Sequence, residues 1–450
     1  MRYNPWFRWS RCLRLLAIAL CAALIPCLAQ AQWVVDPEFG PMLPQKVLDM
    51  EARFEAEFED YFDADLATVR QSNPEISQTL AELGDQTGSP AAVIWAIARD
   101  SHLHLKLTTS TQTIVRDRYD VPRDRLNVEL RRFYRDLTRR QNRSYPAAGQ
   151  NLYQWLVGMF EADYLEPEGI ETLLFCFGEG LRGLPVAALH DGEKYLVEKY
   201  ASSLIPAFNL IDTRYQKIQQ GQIIALGASE FSTLPSLPAV PVELATITTA
   251  IRASLPPDVP WRGQALLNEA FTLANFKTQL QQQSHAIVHL ATHAEFQSGE
   301  PANSYIQFWD DERLGLDQMQ QIDWGEPPPE LLVLSACRTI IGDASAELGF
   351  AGLALQAGVK SALASRWYVS DAGTLALMSE FYRQLPAATT KAEALRRAQL
   401  NLLRGNVRLV GDHLQLSRGS VALPADLENN DEELTHPFYW ASFLMISSPW

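Results

Sequence analysis

The chain has 450 residues, of which 47% are hydrophobic, 10% aromatic and 20% charged. That is enough apolar material for a large buried core, spread over roughly two to three domains, and it excludes a wholly disordered chain. The formal net charge of −15 argues against nucleic acid or an anionic membrane surface as a partner.

Arg2, Arg8, Arg11 and Arg14 precede an apolar run from Leu15 to Leu28, and Ala29-Gln30-Ala31 follows. A basic start, a short apolar stretch and a small-x-small triplet mark a secretory leader. Residues 1–31 are therefore read as a cleaved signal peptide, and the protein as secreted or periplasmic. The run is short for a bilayer span of about 20 residues, so no integral membrane span is expected after cleavage. Losing four arginines, from 38 basic residues against 53 acidic ones, takes the formal charge to −19. Of the five cysteines only Cys176 and Cys337 remain, too few for a disulfide scaffold.

Residues 32–90 read as an extended arm, with Pro37, Pro41 and Pro44, followed by helical segments. Phe54, Phe58 and Phe62 recur at every fourth position and predict a helix over Leu48–Leu66. Asn73-Pro74 breaks it, and a second helix is expected over Glu75–Leu83, closed by Gly84, Gly88 and Pro90. From Ala91 to the end the chain reads as one further domain. Ala91–Ala98 and His102–Thr108 form an expected strand pair. Basic Arg125–Arg139 and then Asn151–Phe160 read as helices, and Leu173–Phe177 as a short buried strand.

The second half alternates. Strands are expected at Ile223–Leu226, Ala286–Leu290, Leu331–Leu334, Ser361–Ser365 and Phe443–Ile446. Helices are expected at Val242–Ser254, Ala270–Gln283, Gly349–Gln356, Thr374–Leu385 and Lys391–Leu403. This order implies an α/β fold with a mostly parallel sheet covered on both faces, and continuous apolar runs suit strands buried on both sides.

Ligands of open parallel sheets bind at the carboxyl ends of the strands. Ile287–Thr292 delivers His293 to such an end, and Leu331–Ala336 delivers Cys337. If those strands are neighbours, imidazole and thiol meet the requirement for a Cys–His nucleophilic pair. The backbone N–H groups of Ala294 and Cys337 are the candidate oxyanion donors. A lone cysteine is more often a small buried hydrophobe, which is the reading for Cys176 within its strand. His285, His289 and His293 recur every four residues, but the residues between them favour a strand, so no metal is assigned and His289 is read as a core histidine. No cofactor is implied.

These segments resemble the CHAT domain, a caspase-like module within the wider group of caspases, separases and gingipains. The resemblance rests on Gly180-Leu181-Arg182-Gly183-Leu184-Pro185, His289-Leu290-Ala291-Thr292-His293-Ala294 and Leu334-Ser335-Ala336-Cys337-Arg338-Thr339. It continues through Gly349-Phe350-Ala351-Gly352, Ser365-Arg366-Trp367 with Asp371, and His436-Pro437-Phe438-Tyr439-Trp440-Ala441-Ser442-Phe443. It implies a three-layer α/β/α sandwich over about residues 91–450, and peptide-bond hydrolysis with His293 as base and Cys337 as nucleophile. A protein or peptide substrate and an activating protein partner are the partners expected from it. Two positions depart from the group's pattern: Ala294 stands where Gly is frequent, and Ser335 where metacaspases carry an acid. Asp371, with Trp367, is the candidate substrate-binding residue, unless Asp371 caps the helix near Thr374. The segment Glu295–Glu330, between the two catalytic stretches, is expected either to wall the substrate groove or to form a plain surface excursion. The competing function is a catalytically silent caspase-like scaffold for protein interaction.

Overall fold

The computed structural model describes residues 45–66, 70–140, 145–218, 221–254, 261–339, 342–427 and 433–450. The signal peptide read at 1–31 lies outside these residues, as does most of the proline-rich arm. Among the described residues no helix is long and apolar enough to cross a membrane.

Helix α1 (Gln45–Phe62) carries the four-residue phenylalanine repeat, and Phe54 and Phe58 are completely buried. Its acidic face is also used. Glu51 accepts from the indole N–H of Trp95 and from the Phe208 N–H at 2.9 Å, while Glu57 pairs with Arg182. The N-terminal helix is thus packed into the main body. Pro74 does not end a helix but opens α2 (Asn73–Thr87), where its missing N–H costs nothing. Glu75 reaches back to the Ser72 N–H at 2.6 Å, and Gly88, at φ 66°, closes the helix in the left-handed region.

Strand β1 (Ala91–Ala98) is buried along its whole length. It pairs antiparallel with β2 (Leu103–Thr108), and β2 pairs in turn with β3 (Thr113–Arg118). Helices α3 (Arg123–Leu137) and α4 (Tyr145–Tyr153) follow, the second running on through π-helical turns at Gln154–Gly158 and Glu161–Leu165. The chain then lays down β4 (Thr172–Phe177) and β5 (Ala201–Ile205), each parallel to the strand before it in the sheet.

The second half supplies β6 (Gly221–Gly227), α5 (Val240–Ser254), β7 (Trp261–Leu267), α6 (Leu273–Gln282) and β8 (Ile287–Phe296). A short hairpin, β9 (Tyr305–Gln307) and β10 (Arg313–Gly315), precedes β11 (Leu331–Thr339), α7 (Ala344–Ala351) and β12 (Ser361–Ser365). Helices α8 (Asp371–Gln384) and α9 (Lys391–Leu403) lead to a small separate sheet, β13 (Arg408–Val410), β14 (His413–Gln415) and β15 (Ser420–Ala422). The chain ends on β16 (Phe443–Ser447).

The large sheet has the order β10-β9-β8-β11-β12-β16-β5-β4-β1-β2-β3, with β6 and β7 branching from β8. Its centre is mostly parallel, and β4, β12 and β16 are fully buried, as expected for strands covered on both faces. Helices α5, α8 and α9 pack side by side, and α1 lies against α7. Strand β8 is longer than its apolar run suggests. Its first half pairs with β6 and its second half with the β9 hairpin, so His293 and Cys337 sit inside extended strands rather than on the loops that follow them.

Candidate active site

Strands β8 and β11 are parallel neighbours. Their register passes from Leu334–Leu290 to Ala336–His293, so β8 carries one extra residue at this point, and Cys337 then faces Ala294. Such a bulge re-aims side chains at the end of a strand. On the other side, β11 pairs with β12 only as far as Leu334–Ala364. Beyond that pair the regular ladder breaks, and the Ser365 hydroxyl bridges the break: it accepts from the Cys337 N–H at 3.1 Å and donates to the Cys337 carbonyl at 3.1 Å, before the Thr339 N–H meets the Arg366 carbonyl at 3.3 Å.

His293 is registered with Ala336, so the alternation of side chains along β11 puts Cys337 on the neighbouring strand but on the other face of the sheet from His293. The two side chains are engaged separately, and among the described residues no hydrogen bond joins them. The imidazole turns to the loop between β6 and α5, where Nε2 donates to the Pro235 carbonyl at 2.8 Å and the ring packs on Phe231 at 4.8 Å. A carbonyl only accepts, so Nε2 carries the proton and Nδ1 is left as the basic nitrogen. The thiol of Cys337 is completely buried and turns back to the Leu334 carbonyl at 3.5 Å. Burial pushes it up to about 12, against a smaller downward pull from Ser365. As it stands the sulfur is a protonated thiol.

The two backbone donors read from sequence are placed differently. Ala294 is extended in β8 between Cys337 and Ile306, without the left-handed backbone that glycine would favour. The Cys337 N–H is occupied by Ser365. Trp367 is buried, with its indole N–H donating to the Phe438 carbonyl at 3.1 Å. Asp371 is the first residue of α8, but Ser370 caps that helix by accepting from the Gly373 N–H at 3.3 Å. The Asp371 carboxyl instead accepts from Tyr368 at 2.8 Å. Burial raises its pKa, opposed by the hydrogen bonds from Tyr368 and from the Ala239 N–H.

The segment between the two strands makes one wall of a cleft. Trp309, Asp310 and Asp311, at the tip of the β9–β10 hairpin, face Glu230, Phe231 and Ser232 across a space of about 260 Å³. Asp310 and Asp311 both adopt φ 59°, which turns the tip sharply, and Ser232 donates to Asp311 to tie the two walls together. Phe231 joins this cleft to His293. Nothing in the local sequence around Glu230–Pro235 pointed to it, because its role comes from a long-range contact. Ser365 was legible only as part of a motif.

The other residues singled out are structural. Cys176 is buried in β4 and donates to the Pro206 carbonyl at 3.3 Å. His289 is buried between Glu243 at 3.0 Å and the Tyr382 hydroxyl at 3.0 Å, a satisfied core histidine.

A layered α/β body with a mostly parallel central sheet, carrying a histidine and a cysteine on neighbouring parallel strands, has the build of a caspase-like protein. Comparison with known families matches residues 146–448 to the CHAT domain, and the chain belongs to that family. Among solved structures it is similar to the Saccharomyces cerevisiae separase–securin complex at 3.0 Å. The TM-score is 0.50 and the identity 9%, over 89% of this chain and 34% of that one. A second structure of the same complex, at 2.6 Å, gives 0.42 and 8% over 84% and 32%. The chain thus spans about a third of the separase chain in that structure. No curated protein sequence matches it.

Proposed function

We propose that this chain is an exported cysteine endopeptidase of the caspase-like type, with Cys337 as nucleophile and His293 as base, held here in a resting arrangement. The observation that carries this reading is the placing of His293 and Cys337 on adjacent parallel strands where the ladder between β11 and β12 breaks. In the working arrangement Nδ1 of His293 removes the thiol proton and the thiolate attacks the scissile carbonyl carbon. Collapse of the tetrahedral intermediate breaks the C–N bond, and His293 returns the proton to the departing amine. Water then hydrolyses the thioester, freeing the acid product and restoring the thiol. Backbone N–H groups at Ala294 and Cys337 stabilise the oxyanion once Ser365 releases the second of them.

Three features support regulation. The thiol is sealed, His293 is tied to Pro235, and one oxyanion donor is occupied. An activating protein partner that moves the β6–α5 loop would release the imidazole; the separase structure similar in fold was solved as a complex with securin. The cleft between Glu230–Ser232 and Trp309–Asp311 is acidic and aromatic and suits a basic side chain of the substrate. The same sealed thiol also suits the second reading, a silent scaffold for protein interaction. A digest of a peptide library by the leaderless chain, with and without candidate partner proteins, separates the two. Cleavage that clusters beside basic residues and disappears in Cys337→Ala supports the peptidase. Partner binding with no cleavage in any mixture supports the scaffold.

A further inference from the structure

At the far edge of the sheet from Cys337, the β2–β3 hairpin gathers three groups with metal-binding chemistry. His104 lies in β2 and His102 immediately before it, two residues apart, so alternation puts them on one face, and Asp117 is the cross-strand partner of His104. One ligand atom from each lies within 4.8 Å of the other two.

The orientation of each ring is set. The Nδ1 atom of His102 is engaged by the Ser101 hydroxyl at 2.9 Å, which turns Nε2 toward Asp117 Oδ1 at 3.4 Å. The turn beneath it is closed by the Arg99 N–H on the His102 carbonyl at 2.8 Å, and the ring leans on Tyr119 at 4.8 Å. His104 presents Nδ1 to the same carboxylate oxygen at 2.5 Å.

Two imidazole nitrogens and one carboxylate oxygen form the donor set of a borderline divalent ion such as zinc. With bonds of about 2.0–2.1 Å, neighbouring ligand atoms around a tetrahedral ion stand about 3.3 Å apart. The His102–Asp117 separation of 3.4 Å already matches that edge. The 2.5 Å contact between His104 and Asp117 is the hydrogen bond that these groups make without an ion, and it has to open by roughly 0.8 Å to admit one. The side chains are 14 to 20% exposed, which leaves a path for an ion while removing much of the competing water.

We propose that His102 Nε2, His104 Nδ1 and Asp117 Oδ1 form a site for a divalent transition-metal ion, zinc being the fitting one, with a fourth position open to water or to a donor from a partner. Bound there, the ion pins β2 to β3 at the exposed edge of the sheet, distant from the Cys337 end.

The test uses the leaderless chain without a histidine tag, stripped with chelator. Cobalt(II) is titrated while the visible d–d bands of a four-coordinate ion are followed, and zinc is then used to displace it. One equivalent is expected, together with a rise in melting temperature on adding zinc. His104→Gln and Asp117→Asn are expected to weaken binding by more than about tenfold, the loss that removing even an outer-shell partner brings. His102→Gln, at the turn, gives a variant whose folding is least at risk, and circular dichroism establishes that each variant is folded. Absence of any visible band in the wild type, or equal uptake by folded His102→Gln and Asp117→Asn, overturns the proposal.

Discussion

The protonation state of Cys337 yields a prediction with a definite size. Burial raises its pKa from 9.0 to about 12. At a pH below both values the thiolate fraction is therefore lower by about 10³ than for the same thiol in water, a penalty of about 4 kcal/mol at 1.36 kcal/mol per pKa unit. Only the thiolate alkylates. Iodoacetamide should then modify Cys337 in the native leaderless chain at least about 1,000-fold more slowly than in the urea-unfolded chain at the same pH, before any further slowing from steric closure. The assay is a timed alkylation at several pH values, quenched and resolved by peptide mass so that Cys337 and Cys176 are scored separately. The rate at Cys337 should still be climbing with pH above 9. A plateau near pH 8 to 9, with a rate close to that of the unfolded chain, would show that the thiol is neither buried nor protonated and would refute the reasoning.

The same shift sets a stability change. A group whose pKa is raised on folding stabilises below its unfolded value and loses that contribution as pH climbs through the folded one. Urea unfolding should therefore show stability falling between pH 9 and 12, less steeply in Cys337→Ala. His289→Leu leaves the buried Glu243 carboxylate and the Tyr382 hydroxyl without their shared partner and should cost about 3 kcal/mol in the same assay. Gly183→Ala puts a Cβ 2.2 Å from Arg366 Nε. The guanidinium, buried against Glu347 at 3.3 Å, has to move, so a loss of about 3 kcal/mol is expected and should not add to that of Arg366→Met.

Much of the sheet was legible because its strands are uninterrupted apolar runs. Leu331–Leu334, Ser361–Ser365 and Phe443–Ile446 are each buried in strands; Ser361–Ser365 keeps its bounds, Phe443–Ile446 gains one residue, and Leu331–Leu334 runs on to Thr339 where β8 offers further pairing. Strand β3, Thr-Ile-Val-Arg-Asp-Arg, stayed hidden because an edge strand is only half covered and its polar residues break the pattern. Within the site, the adjacency of His293 and Cys337 followed from topology. The direction each side chain takes did not, since it depends on Pro235, Phe231 and Ser365, each far away in sequence. The hairpin site was missed for a similar reason: the His-x-His pair gains its third ligand only when Asp117 arrives across the strand. Phe54 and Phe58 announced a helix but not its burial against the main body, where Glu51 meets Trp95.

The pairing of thiol and imidazole is tested most directly by an electrophilic peptide probe with a basic residue beside its warhead. Applied to the leaderless chain together with a partner protein that switches on cleavage in the library digest, it should form a covalent adduct on Cys337 that Cys337→Ala abolishes and that His293→Ala slows by about 100-fold or more. Adduct formation on Cys337 at an unchanged rate in His293→Ala would contradict the account.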